Sequence, residues 1–272
     1  MSEIVCHVCH RGCHLKEGQI GFCRARKNEN GRNVCANYGR ITSMAMDPIE
    51  KKPLRQFYPG RSILSVGSYG CNFACPFCQN FGISMSDADS VPWISVSPQE
   101  LAVRARSIPG NLGVAFTYNE PLISYEYIIA TARLLRPEYK IVLVSNGCVS
   151  KDVLDQLLPY IDAINIDLKG DEAFYRELGG SYALVKQTIA ACVPRIHTEV
   201  TILVIPGKND NPAWIDAEST WLSQLSEDVV LHLSRYFPRY HYAIEATPRE
   251  TILWLQQAAQ KHLRHVYTGN MG

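Results

Sequence analysis

Residues 63–78 read ILSVGSYGCNFACPFC, a short β-rich run that is followed at once by three cysteines. Cys71, Cys75 and Cys78 have the spacing C-x3-C-x2-C. A closed metal site takes four protein ligands, so this loop lacks one. Three thiolates can hold three irons of a [4Fe–4S] cluster and leave the fourth iron open. On spacing alone, a zinc site completed by a distant histidine or cysteine fits equally well.

The alternation of strands and helices continues from this stretch to the end of the chain. The predicted strands are 63–66, 113–117, 140–145, 163–167, 197–204, 229–233 and 265–267. The predicted helices are 98–107, 123–135, 151–158, 181–192, 212–225 and 248–261. Ser97 and Thr247 each begin an S/T-x-x-E pattern with a following proline, which predicts a capping box at both helix starts.

Repeated βα units predict an α/β fold with a parallel sheet. Six or seven such units can close into a full or partial barrel. We therefore predict a partial (β/α)6-type TIM-like barrel of parallel strands with a small Cys-rich N-terminal module. A flat, doubly wound sheet is the alternative, although no G-x-G-x-x-G turn follows the first strand.

Residues 1–60 differ from the rest of the chain, because they carry five cysteines and little periodicity. Cys6, Cys9, Cys13 and Cys23 follow C-x2-C-x3-C-x9-C, which predicts either a zinc site or an auxiliary [4Fe–4S] cluster. The spacing is not ferredoxin-like, which favours zinc slightly. A region with so small a hydrophobic core needs a bound metal to stabilise its fold. We predict a metal-binding module and connector at 1–60 and a barrel domain at 61–272.

Composition excludes several functional classes. The 272 residues are 46% hydrophobic with a net charge of +1, so nothing indicates a nucleic-acid partner. No apolar run approaches the roughly 18–20 residues of a membrane span, and the N-terminus lacks the features of a signal peptide. We expect a cytoplasmic protein, in which grouped cysteines indicate metal binding rather than disulfides. No nucleophile–base motif of a hydrolase is present.

Polar side chains follow successive predicted strands, at the ends where a parallel barrel places its chemistry. They are Tyr118, Asn119, Glu120, Ser145, Asn146, Asp167, Lys169, Glu199, Thr201 and His232. Because these strand ends share one rim, we expect the side chains to form a site beside the cysteine loop. This pattern favours an enzyme over a non-catalytic metal-binding or redox-sensing module, which would explain the cysteines alone.

The C-x3-C-x2-C spacing with Phe77 before the last cysteine resembles the signature of radical S-adenosylmethionine (radical SAM) enzymes. The segments EGQIGFCRAR (17–26), DPIEKKPL (47–54), YNEP (118–121) and YTGN (267–270) resemble one subgroup, the AmmeMemoRadiSam-system enzymes. That subgroup is related to the activating enzymes of pyruvate formate-lyase, and the likeness spans nearly the whole chain. Its members often continue into a short cysteine-containing tail, so we expect a short form or a chain without that tail.

The resemblance implies an oxidoreductase with a [4Fe–4S] cluster on Cys71, Cys75 and Cys78. S-adenosylmethionine would occupy the open iron and be cleaved reductively to a 5′-deoxyadenosyl radical, which abstracts hydrogen from an unidentified substrate; the resemblance implies a protein or peptide. A glycyl radical enzyme is one such target, and a substrate shared with Memo-like and AMMECR-like proteins is another. The electron would come from a one-electron donor such as flavodoxin or ferredoxin.

The resemblance also assigns roles around the cofactor. Asn119 and Glu120 would contact the methionyl amino group, for which a carboxylate is a charge-assisted acceptor. The further cofactor contacts that it implies are Phe77 beside the adenine, Ser145 and Asn146 at the ribose or carboxylate, and Tyr118, Asp167, Lys169, Glu199, Thr201 and His232 around them.

Overall fold

The computed structural model describes residues 3–272, so the first two residues of the predicted N-terminal module lie outside the described residues. The module begins with short strands: β1 (Ile4–Val5), β2 (His14–Leu15), β3 (Arg26–Glu29), β4 (Arg32–Cys35), β5 (Arg40–Ile41) and β6 (Ser43–Pro48). A 3₁₀ turn, Ile49–Lys51, follows β6.

The remaining elements alternate as the sequence predicts. They are β7 (Ser62–Gly67), α1 (Phe81–Ser84), β8 (Ile94–Ser95), α2 (Pro98–Ser107), β9 (Gly113–Phe116), α3 (Tyr125–Leu135), β10 (Lys140–Ser145), α4 (Lys151–Leu157), β11 (Ala163–Asp167), α5 (Glu172–Leu178), α6 (Tyr182–Cys192), β12 (His197–Val204), α7 (Pro212–Leu225), β13 (Val230–Arg235), α8 (Arg249–Ala259) and β14 (His265–Gly269). The short elements α1, β8 and α5 were not among the predicted elements.

One eight-stranded sheet organises the molecule. Its order is β14-β13-β12-β11-β10-β9-β7-β6, in which β7 and β9–β14 are parallel and β6 pairs antiparallel with β7 at the edge. A doubly wound sheet reverses its strand order at a switch point, and the parallel strands here do not. Within residues 3–272 no pairing joins β14 to β6, so the barrel is partial, as predicted, with seven parallel strands.

The strands are buried, which explains why they form a parallel sheet covered by helices. All four residues of β9 are buried, and β7 is buried from Ile63 to its end. The close approach of β9 to β10 requires Gly113, since a Cβ there would lie 1.9 Å from the Lys140 carbonyl oxygen. This packing aligns the strand ends on which the site is built.

The two predicted capping boxes have different outcomes. At α2 the Ser97 hydroxyl accepts from the Glu100 N–H, and the Glu100 carboxylate accepts from the Ser97 N–H at 2.7 Å, so this prediction is confirmed. The prediction at Thr247 is wrong. The Thr247 hydroxyl is buried and donates to the Val204 carbonyl oxygen at 2.6 Å, so it ties α8 to β12 instead of capping α8.

The predicted connector contributes a strand to the barrel sheet. β6 pairs along its whole length with β7, from Ser43 opposite Gly67 to Pro48 opposite Ser62. The domain boundary at residue 60 stays a prediction. Among residues 3–272, no helix combines the length and hydrophobicity of a membrane span.

Candidate active site

The carboxyl ends of the parallel strands surround a cavity of about 1070 Å³. Cys71, Cys75 and Cys78 lie in its wall. The predicted cofactor-binding residues that line it are Phe77, Tyr118, Asn119, Glu120, Ser145, Asn146, Asp167, Lys169, Thr201 and His232. Glu199 is the one predicted residue that does not line it, because its fully buried carboxylate lies behind His232. The strand ends thus bring the candidates together at one rim.

Asn119 fixes the loop that carries the cysteines. Its Oδ1 accepts from the Ser68 N–H at 3.0 Å, and its Nδ2 donates to the carbonyl oxygens of Tyr69 and Gly70 at 3.2 and 3.1 Å. Both ends of the amide are therefore engaged by the residues just before Cys71. The geometry makes Asn119 a positioning residue for the loop, and its contact with an amino group stays a prediction.

Glu120 is a buried carboxylate in the cavity wall, only 3% exposed. It accepts hydrogen bonds from the Ser145 hydroxyl at 2.7 Å and from the backbone N–H groups of Asn146 and Leu122 at 2.8 and 3.0 Å. Burial raises the pKa of Glu120 to about 7, although these hydrogen bonds oppose the rise. Within residues 3–272 it forms no salt bridge. An acceptor so placed suits a cationic or N–H-donating ligand.

The thiols of Cys71 and Cys75 are neutral at pH 7 in the absence of a metal. Burial raises the pKa of Cys71 well above its ordinary value, and the negative charge of Glu120 raises it further. Burial likewise raises the pKa of Cys75 to about 12, although nearby Lys169 opposes the rise. Binding of iron must therefore displace protons from these thiols, which is the usual behaviour of thiolate ligands.

Asp167 and Lys169 form an ion pair beside the loop, with Nζ to Oδ2 at 2.9 Å. Burial alone would lower the pKa of Lys169, but the charge of Asp167 outweighs it and the pKa is raised. The ammonium lies 6.0 Å from the ring centroid of Phe77. Phe77 itself stacks on Phe174 at 5.8 Å and contacts Tyr242 at 5.6 Å, so aromatic neighbours fix its position.

Glu199 joins the cavity wall to the segment that follows β6. Its carboxylate accepts from His232 Nε2 at 2.5 Å, from His197 Nε2 at 2.8 Å, and from the backbone N–H groups of Arg55 and Gln56 at 2.9 and 2.8 Å. Burial would raise the pKa of Glu199, but these four donors lower it to about 2. The role supported by this geometry is to hold His232 and residues 55–56 in place.

The hydroxyl of Thr201 is also engaged. It donates to Asn165 Oδ1 at 3.0 Å, and the Asn165 amide in turn donates to the carbonyl oxygen of Pro53. Thr201 and Glu199 thus anchor the same segment from neighbouring positions on β12. Whether Thr201 contacts a ligand stays a prediction.

Sequence reasoning missed the residues that β6 and the following turn bring to the cavity. Asp47, Lys52 and Arg55 all line it. Asp47 accepts from Lys52 Nζ at 2.8 Å and from the Tyr118 hydroxyl at 2.7 Å. Burial opposes the effect of these bonds, yet the pKa of Asp47 is lowered to about 2. The charged segment DPIEKKPL (47–54) supported only the resemblance to the AmmeMemoRadiSam-system enzymes, because β6 was not predicted as a strand.

Cys148 follows Ser145 and Asn146 in the chain, but its thiol lacks the lowered pKa of a reactive cysteine. Its sulfur lies 3.0 Å from His10 Nδ1, and His10 Nε2 donates to the Gly179 carbonyl oxygen. The thiol is therefore the donor to Nδ1, and burial raises the pKa of Cys148 to about 12. The predicted metal ligands Cys6, Cys9, Cys13 and Cys23 line a separate, smaller cavity.

The chain is similar to known proteins over the residues that form this site. The sequence profile of the radical SAM superfamily matches residues 65–218, which include the cysteine loop and the ends of β9–β12. The uncharacterized protein MJ0808 of Methanocaldococcus jannaschii is 36% identical over 99% of this chain and 82% of its own length.

Two solved structures share the fold. A radical SAM methyltransferase from Sphaerobacter thermophilus superposes with a TM-score of 0.58 at 17% identity, over 78% of this chain and 67% of that one. Streptococcus suis SuiB bound to S-adenosylmethionine superposes with a TM-score of 0.53 at 14% identity, over 76% of this chain and 48% of that one. The profile match covers more than half of the chain, and the protein therefore belongs to the radical SAM superfamily.

Proposed function

We propose that this protein is an enzyme that cleaves S-adenosylmethionine reductively at a [4Fe–4S] cluster held by Cys71, Cys75 and Cys78. When bound, the cluster supplies one electron to the sulfonium, which gives methionine and a 5′-deoxyadenosyl radical that abstracts a substrate hydrogen. The supporting observation is a three-cysteine loop in the wall of a large cavity that also contains the buried carboxylate of Glu120, which forms no salt bridge within residues 3–272.

The side chains at this site suit both the [4Fe–4S] cluster and S-adenosylmethionine. Three thiols on one loop leave one position of a four-iron cluster without a protein ligand. Glu120 lies in the same wall and has no cationic side-chain partner within residues 3–272, so its carboxylate is free to accept from the amino group of S-adenosylmethionine. Binding of such a donor compensates a buried charge that the protein alone leaves poorly stabilised.

The remaining side chains orient the ligand and shape the cavity. Phe77 presents an aromatic surface that Phe174 and Tyr242 fix in place, which suits packing against the adenine. Asn146 donates from Nδ2 to Asn72 Oδ1 at 2.8 Å and contacts Cys71 Sγ at 3.7 Å, so it links the end of β10 to the first cysteine. Ser145 orients Glu120 through its hydroxyl.

The substrate and the partners are drawn from the resemblance alone. A protein or peptide substrate is proposed, with a glycyl radical enzyme or a substrate of the Memo-like and AMMECR-like proteins as the two candidates. The proposed electron donor is flavodoxin or ferredoxin, and the proposed location is the cytoplasm. The cavity volume of about 1070 Å³ lies at the upper end of ordinary ligand pockets, which suits a cofactor together with part of a substrate.

The test is a reductive cleavage assay on protein reconstituted anaerobically with iron and sulfide. With dithionite as the reductant, the loaded protein is expected to form 5′-deoxyadenosine, and Cys75→Ala is expected to form none. Cys192→Ala is the matched control, because Cys192 is buried in α6 and does not line the cavity. Wild type that carries its cluster yet yields no 5′-deoxyadenosine would refute the proposal.

A further inference from the structure

A second group of cysteines surrounds a cavity of its own. Cys6, Cys9, Cys13 and Cys23 all line an enclosed space of about 10 Å³ in the N-terminal module. Cys6 and Cys23 are buried, and Cys9 and Cys13 are half-buried. Four thiols that meet at one buried cavity make up the whole ligand set of a metal centre.

The local fold brings these thiols together. The Cys6 N–H donates to the Cys13 carbonyl oxygen at 2.9 Å beside the β1–β2 pair, which places these two residues opposite each other. A tight turn positions Cys23, because the Gly21 N–H donates to the Arg26 carbonyl oxygen at 2.7 Å. The side-chain amide of Asn33 donates to Cys6 Sγ at 3.3 Å, as amides do to metal-bound thiolates.

The width of the cavity argues against a single ion. A zinc ion holds its sulfur ligands at about 2.3 Å. A water-sized sphere has a radius of about 1.4 Å. It fits between sulfur atoms only if each sulfur centre lies more than about 3 Å from the centre of the sphere. The cavity that these four cysteines help to line has room for such a sphere. In addition, no three Cys, His, Asp or Glu side chains of residues 3–272 converge on one ion position.

The cysteines of the active-site loop have the same property. Cys71, Cys75 and Cys78 also do not converge on one ion position, although all three line one cavity. A four-iron cluster requires this arrangement, since each thiolate binds a different iron and the sulfurs stand apart around the cluster. The N-terminal group therefore shares this arrangement with the motif that defines the superfamily.

We propose that Cys6, Cys9, Cys13 and Cys23 bind a second [4Fe–4S] cluster, which lies next to the one held by Cys71, Cys75 and Cys78. All four of its irons have a protein thiolate, so it is a closed site without a position for substrate. This inference does not depend on the cleavage of S-adenosylmethionine.

The two groups of cysteines are in contact through residues 70–72. The Cys9 thiol interacts with the Asn72 side chain, and Asn72 Oδ1 lies 3.9 Å from Cys71 Sγ. A Cβ on Gly70 would lie 2.3 Å from the Cys23 carbonyl oxygen, so the backbones on either side also meet directly. One side chain thus separates a ligand of the first cluster from a ligand of the second.

The test counts metals on a chain that lacks the first cluster. The Cys71→Ala/Cys75→Ala/Cys78→Ala variant is reconstituted anaerobically with iron, sulfide and equimolar zinc, so the N-terminal group competes for both metals with its own ligands intact. We expect about four irons and four sulfides per chain and no zinc. One zinc without iron, or neither metal, would overturn the proposal.

A reciprocal pair of variants supplies the control. Wild type is expected to hold about eight irons, Cys6→Ser/Cys9→Ser about four, and Cys35→Ser/Cys192→Ala about eight, because neither Cys35 nor Cys192 lines a cysteine cavity. Reduced wild type is further expected to show electron paramagnetic resonance lines that are broadened relative to both single-cluster variants. Four irons in wild type, or a wild-type spectrum equal to the sum of the single-cluster spectra, would contradict the proposed neighbouring clusters.

Discussion

Replacement of Glu199 by glutamine tests how the wall of the active-site cavity is held. The carboxylate is fully buried and receives two imidazole donors and two backbone donors. Glutamine has nearly the same size but only one acceptor oxygen and no charge. The variant would leave the backbone N–H of Arg55 or Gln56 facing an amide NH₂ group, while His197 and His232 lose a charged partner.

The expected loss follows from the lowered pKa. The difference between the ordinary pKa of 4.5 and the folded value of about 2 for Glu199 corresponds to about 3 kcal/mol of folding free energy at pH 7. Because the folded pKa lies below the unfolded one, this stability is present above pH 4.5 and is lost as the pH falls toward 2. At pH 3 about 1.5 kcal/mol of it remains.

The assay is urea unfolding of metal-free protein at pH 7 and at pH 3. We expect Glu199→Gln to lower the unfolding free energy by about 3 kcal/mol at pH 7 and by about half of that at pH 3. Glu172→Gln is the control, because its exposed carboxylate lies 3.6 Å from Arg176 in a surface ion pair, so the change should alter stability by less than about 0.5 kcal/mol. A deficit under 1 kcal/mol at pH 7, or one that stays constant with pH, would refute this account.

Two further predictions concern the residues after β9. Glu120→Gln is expected to raise the dissociation constant of S-adenosylmethionine for cluster-loaded protein about 10- to 100-fold, since a hydrogen bond to a charged group contributes about 1.5–3 kcal/mol. Equilibrium binding measures this, and an unchanged constant would contradict the proposed contact. Asn119→Ala is expected to speed amide hydrogen exchange at residues 68–72, because it removes the acceptor of the Ser68 N–H. Unaltered exchange there would show that the loop is held by other contacts.

The barrel could be predicted from the sequence because its signals are local. Strands such as β9 and β10 are short apolar runs, the helix α3 between them has amphipathic spacing, and α2 begins with a capping box. Repeated βα units then predicted a parallel sheet that forms a partial barrel, and the structure has such a sheet. The short helix α5 was not predicted, although Asp171 caps its start and Gly179 ends it.

The edge strand β6 shows what local signals leave out. Its sequence, SMAMDP, has no clear alternation and ends in a proline, so it does not predict a strand by itself. It becomes one because β7 offers an unpaired edge, which is a tertiary effect. The charged residues Asp47 and Lys52 reach the cavity only through this pairing, and sequence reasoning therefore missed them.

The candidate site was predicted through strand ends rather than through contacts. The strand-end rule places polar residues at one rim, and nine of the ten residues that it predicted line the cavity there. The rule says nothing about partners. It could not show that Asn119 is already bonded to the cysteine loop or that Glu199 lies behind His232, because those contacts depend on side-chain directions and on residues 53–57.

Two buried carboxylates in this barrel have opposite electrostatics, and the contrast separates scaffold from binding site. Glu199 receives four donors, two of them histidines, and its pKa falls to about 2. Glu120 receives one hydroxyl and two backbone N–H groups, forms no salt bridge within residues 3–272, and its pKa rises to about 7 because of burial. A folded protein has no need of a destabilised charge in a cavity wall, whereas a binding site for a donor ligand does. The stability that Glu199 contributes holds the wall in place, and Glu120 is the group in that wall to which we assign, as a proposal, a contact with the ligand.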